Sequence, residues 1–230
     1  MSAVTMPQIS RTIKANRVRG TNEEIIDKVL LLYLINEVNK QGELSGITKL
    51  MKLLFFAEKE MVKNKVKGFN YNFYKWHLGP FTPEVYEDLD YLTENELVTE
   101  HETIELTDRG KALLKGVTYL LDENRDILIY LDKVARNHAN EWASTLMDLA
   151  YETTVEVIPS KTLAKVREIP NGSYLVTKLS EIEANKVFEI DRGWLETFDT
   201  LFDKEEYNSL MEAMESARTT ESKRVEMDKL

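Results

Sequence analysis

Three histidines and a dense set of carboxylates are the residues of this chain whose types could do chemistry. His77 stands in the stretch Tyr74-Lys75-Trp76-His77-Leu78-Gly79-Pro80, seven residues before Glu84. A general base needs a substrate pocket and an orienting partner within hydrogen-bond reach. Glu84 can meet His77 across a turn, but the spacing does not require it. In the other reading His77 flanks a packed aromatic strand and steadies the turn. His101 falls in a predicted turn among acids, and His138 lies between two predicted helices. The three are far apart and lack the spacing of a His-Glu-x-x-His zinc site. There is no cysteine, which removes disulfides, thiolate metal sites and cysteine nucleophiles. Phosphate-binding glycine motifs and a Gly-x-Ser-x-Gly elbow are also missing. No two carboxylates share an apolar setting that would split their pKa values. The expectation is a non-enzyme with no cofactor and no metal, and His77-dependent catalysis is the alternative to be excluded.

Composition sets the frame for those residues. The chain has 230 residues, enough for one large domain or one domain plus a smaller appendage, and its 43% hydrophobic and 30% charged residues are the balance of a folded protein. No apolar run reaches the roughly 18 residues of a membrane span. The first residues have neither the basic region nor the apolar core of a secretory signal, so a cytoplasmic location is expected. The net charge of −10 is uneven. Residues 1–20 carry Arg11, Lys14, Arg17 and Arg19 and no acid, which leaves −14 for the rest. A basic, flexible arm on an acidic body suits two differently charged contacts, one of them with nucleic acid. A merely solvated terminus is the alternative.

The elements follow from periodicity and punctuation. Thr21 and Glu24 fit a capping box before an apolar helix that should be central to the core. A second helix, near 48–63, has a wide apolar face, with Lys49, Lys52, Lys59 and Lys63 expected on the other positions. Residues 69–73 alternate and are aromatic, which favours a strand, and Gly79-Pro80 should then turn the chain. Thr82 can cap a helix with Pro83 in its first turn, running to about Asn95. Two short paired strands, 97–99 and 103–106, flank a turn with Glu100, His101 and Glu102, and Thr107 starts the next helix. The fold class is mainly α with some β: a winged-helix-like domain with a short β-hairpin over 21–155, then a C-terminal helical extension over 156–230. Within the extension, helices from Trp194 and from Glu205 are amphipathic. Their apolar stripe either packs on the chain itself or enters a partner's groove.

Charge tests the DNA reading. From Glu84 to Glu105 there are nine carboxylates and no Lys or Arg. A helix in the recognition position must approach a polyanion, and this one would be repelled. DNA contact would have to come from the lysine-rich second helix, from Lys63, Lys65 and Lys67, or from the basic arm. The acidic helix, with Glu84, Glu87, Asp88, Asp90 and Glu94, is either a solvated face or a surface for a basic protein.

Lys52-Leu53-Leu54-Phe55-Phe56-Ala57, followed by Trp76, Gly79, Pro80, Pro83, Val85 and Tyr86, resembles the Panacea (SocA-like) antitoxin domain. The pattern there is a K-L-L-Y-x-A helix, a W-x-x-G-P corner and a P-x-V-Y helix. Phe81-Thr82 replaces the small residues usual after Gly-Pro. The resemblance covers about 25–155. It implies a protein-binding regulator that neutralises a toxin or another mobile-element protein, or presents it for proteolysis. A second copy of the chain is a further partner to consider. The alternative is a winged-helix transcription regulator that uses the basic arm and the lysine-rich helix.

Overall fold

The computed structural model describes residues 19–157, 160 and 162–227, with side chains as far as residue 218. The fold is mainly helical with short paired strands, an α+β arrangement. Helix α1 (Thr21–Asn39) is capped one residue earlier than expected, at Gly20: the Gly20 amide donates to Glu23 Oε2 at 3.2 Å, so Glu23, not Glu24, reaches back. Leu30, Leu31, Leu32, Leu34 and Ile35 are all fully buried. A helix apolar on every side must be covered on every side. Helix α2 (Ile47–Lys63) enters through Gly46, whose φ of +79° suits glycine. Its inner face carries Leu50, Leu53, Leu54 and Phe55. Lys49 and Lys52 do not lie on an exposed face as the sequence suggests; they are buried, with their ammonium groups on backbone carbonyls.

Three short strands follow: β1 (Val66–Lys67), β2 (Phe73–Trp76) and β3 (Gly79–Phe81). The expected strand over 69–73 is instead an irregular, wholly buried segment in which Phe69 and Tyr71 stack at 5.3 Å, and the strand begins at Phe73. The turn is also shifted. His77 and Leu78 form it, while Gly79 pairs with Trp76 and Pro80 with Lys75. Gly79 enters the strand at φ +89°. Pro80 lies on an edge strand, paired only to β2, where a missing N–H breaks no ladder bond.

Helix α3 (Glu84–Glu94) begins just after Pro83 and turns Val85, Leu89 and Leu92 inward. Strands β4 (Val98–Glu100) and β5 (Ile104–Leu106) form the hairpin, with Val98 opposite Leu106. Thr107 then caps α4 (Asp108–Gly116) by accepting from the Gly110 amide at 3.0 Å. Gly110 has no room for a side chain, since a Cβ there would sit 2.1 Å from the Leu97 carbonyl oxygen. The helix–helix–strand–helix–hairpin–helix order is present, with β2 paired to β3 and the hairpin standing as its own sheet. α1 is covered by α3, α4, β5 and α6 (Arg125–His138), which follows the short α5 (Thr118–Glu123).

Helix α7 (Ala143–Glu152) leads to the hairpin of β6 (Thr154–Val157) and β7 (Thr162–Lys165). β8 (Tyr174–Val176) then joins β2, and β9 (Lys186–Val187) pairs parallel to β1. Asn124 fastens the end of this run, accepting from the Glu189 amide at 2.6 Å and donating to its carbonyl at 2.8 Å. The first unit therefore reaches Glu189, well past the boundary expected after 155. The second unit, from Ile190, holds α8 (Arg192–Phe202) and α9 (Lys204–Met227). Asp191 caps α8 and Asp203 caps α9 through backbone amides at 2.8 Å. Leu210, Met211 and Met214 of α9 are more than two-fifths exposed. No helix among the described residues is long and apolar enough to cross a membrane.

Candidate functional site

The acidic helix divides its carboxylates between two faces. Glu87, Asp90 and Glu94 point to solvent, and Glu84 is half-buried and accepts from the Thr82 hydroxyl. Tyr86 is 42% exposed among them, its ring 5.8 Å from that of Phe81. Strand β4 packs against α3 and adds Glu100 to the same acidic field. Burial and the neighbouring Glu84 raise the Glu87 carboxyl above its ordinary range; burial and Asp90 do the same to Glu100. None of Glu87, Asp90, Glu94 and Glu100 has an ion-pair partner among the described residues. Carboxylates that repel one another this way gain when a cation is brought to them.

Asp88 must be removed from that surface. It is 2% exposed, and its carboxylate takes a two-pronged contact from Arg19, at 2.6 and 3.1 Å. The Tyr71 hydroxyl donates to it at 2.7 Å, and the Lys28 ammonium lies 3.5 Å away. Arg19 also meets Asp27 at 3.0 Å and stands over the Tyr71 ring. Burial opposes the Arg19 charge, but the hydrogen bond and charges of Asp88, Tyr71 and Asp27 outweigh it and hold the proton more tightly than usual. Arg19 is thus consumed inside the fold and is not a nucleic-acid contact. Arg11, Lys14 and Arg17 lie outside the described residues.

The buried network continues past Asp27, which accepts from the Asn70 amide at 2.7 Å and from its side chain at 3.0 Å. Lys67 bridges Asn70 Oδ1, Glu23 and the Leu179 carbonyl. Burial opposes ionisation of Glu23, yet hydrogen bonds from Lys178 and Lys67 prevail and lower its pKa. Burial pushes Asp27 up to about 7 against the pull of Arg19, and lifts Glu58 well above its ordinary value. Glu58 Oε2 has no hydrogen-bond partner. A carboxyl raised on folding favours the folded state at low pH and loses that advantage as pH rises through its folded value. We expect stability to fall between about pH 4 and 7, the range of the Asp27 shift. Glu58→Gln should flatten that slope and raise stability at the alkaline end, as measured by urea unfolding across pH.

The histidines do not assemble. His77 is exposed at the β2–β3 turn, its ring 4.8 Å from Trp76 and its carbonyl bonded by the Tyr151 hydroxyl at 2.8 Å. His101 is exposed on the hairpin, and His138 stacks on Phe56 at 5.2 Å with its pKa lowered by burial. Among the described residues no group of acids and histidines could hold a metal. The lysine-rich route to DNA also thins. Lys49 serves the carbonyls of Ala139 and Glu43, Lys52 that of Pro80, and Lys67 is buried in the network, while Lys63 and Lys65 remain exposed.

The two halves of the sequence motif meet at one bond: the Lys52 ammonium donates to the Pro80 carbonyl at 2.8 Å. That bond locks α2 to the strand entering α3 and so fixes where the acidic helix stands. No curated relative and no solved structure matches the sequence. The family model described as antitoxin SocA-like, Panacea domain, matches residues 50–156, the stretch in which these contacts fall, so that stretch is similar to the Panacea domain of SocA-like antitoxins.

Proposed function

We propose that the chain is a non-enzymatic, antitoxin-like regulator that neutralises or regulates a basic protein by direct contact through α3 and β4. The observation that carries this reading is the exposed set Glu87, Asp90, Glu94 and Glu100, unpaired among the described residues and centred on Tyr86. Carboxylates of this kind accept the forked donors of arginine, and the Tyr86 ring offers a face for a cation. The family's antitoxin role makes a toxin the first partner to consider. We place the encounter in the cytoplasm. The acidic field turns the same surface away from nucleic acid.

The test is co-purification, at low salt, with the product of the adjacent reading frame. A basic protein should be retained, and should be released at about 1 M salt, where the screening length falls to roughly 3 Å. Recovery of no partner at low salt, or a complex indifferent to salt, would count against the proposal.

A further inference from the structure

On the other side of β2, Lys52 and Lys75 form a buried cationic pair. Lys52 is 2% and Lys75 7% exposed. Buried ammonium groups in proteins are nearly always matched by a carboxylate. Here none is found among the described residues. Lys52 makes one hydrogen bond, to the Pro80 carbonyl. Lys75 makes two longer ones, to the Trp76 carbonyl at 3.2 Å and Asn171 Oδ1 at 3.4 Å. Burial, and for Lys52 also repulsion from Lys75, holds both below the ordinary lysine value, Lys52 at about 8.

Tyr151 stands beside Lys75, and Lys52 and Tyr151 both flank Gly79. The Lys75 ammonium lies 4.8 Å from the centre of the Tyr151 ring. Gly79 presents no side chain to them: a Cβ there would lie 3.7 Å from Lys52 Cε, 3.9 Å from its Nζ and 3.9 Å from Tyr151 Cε1. The turn beside them is exposed at His77 and Leu78. An anion set between the two ammonium groups would supply the missing charge and accept the donors that Lys52 leaves unused.

We propose that Lys52 and Lys75, beside Tyr151 at the Gly79-Pro80 strand, form a binding site for a small oxyanion, a carboxylate or a phosphate group. The site is separate from the acidic surface and does not depend on its reading.

The test is a titration of the full chain with inorganic phosphate and, separately, with acetate, at constant ionic strength made up with chloride. Lysine side-chain NMR signals report it. Saturable shifts at Lys52 and Lys75 with phosphate would assign a phosphate site, and with acetate a carboxylate site. Binding should raise the Lys52 pKa towards that of a free lysine. Lys75→Gln should weaken binding by about tenfold or more, the loss of one charge-assisted hydrogen bond. Lys75→Gln is the informative variant, since Lys52→Met also removes the Pro80 bond. Shifts no larger than chloride produces, or binding equal in Lys75→Gln, would overturn the proposal.

Discussion

Arg19→Met is expected to destabilise the first unit by about 3–5 kcal/mol, the usual cost of leaving buried charges without their partner. Two carboxylates depend on this guanidinium, Asp27 at 0% and Asp88 at 2% exposure. Asp27 keeps the Asn70 donors and Asp88 keeps Tyr71 and Lys28, so the fold need not collapse. Asp88→Asn in the Arg19→Met background should restore part of the loss, because it removes a charge the first change strands. A double-mutant cycle by urea unfolding reads the coupling. Additive losses would mean that Arg19 acts through packing alone. Arg19→Lys should fall between, since an ammonium cannot span both oxygens of Asp88.

Reversing Glu87, Asp90 and Glu94 to Lys together should weaken the partner complex by about a hundredfold, chiefly through slower association. These side chains are exposed and outside the buried network, so the variant should melt close to wild type. That separates it from Asp88→Lys, which would damage the fold itself. Tyr86→Ala should cost a further, smaller amount if the ring seats a partner's cation.

Much of this was legible in the sequence, and the misses have physical causes. Periodicity locates α1 and α2 because each has an apolar face long enough to register, and the Thr82-Pro83 start locates α3. Thr107 marked the start of α4 because its hydroxyl does cap that helix. The aromatic run at 69–73 misled because alternation cannot distinguish a strand from a buried irregular segment. Gly79-Pro80 read as a turn because those residues usually punctuate; here the glycine enters, and the proline sits in, an edge strand. The pairing that carries the first unit on to Glu189 leaves little trace in the sequence, because β8 and β9 are only a few residues each and their partners lie about a hundred residues upstream. Charge was the least legible feature. A lysine on a helix reads as solvent-facing, and nothing local shows that Lys52 will find Pro80 or Arg19 will find Asp88. Asp27 was the missed signal: one acid inside a helix apolar on all sides must be paired, and Arg19 is the nearest arginine in the sequence.

The most direct test of the acidic surface is site-specific photo-crosslinking in the native complex. A photo-reactive side chain at Asp90 should capture the partner in high yield, and one at Ile182, which is 97% exposed, should not. Capture from position 182 with none from position 90 would contradict the account and move the interface away from α3.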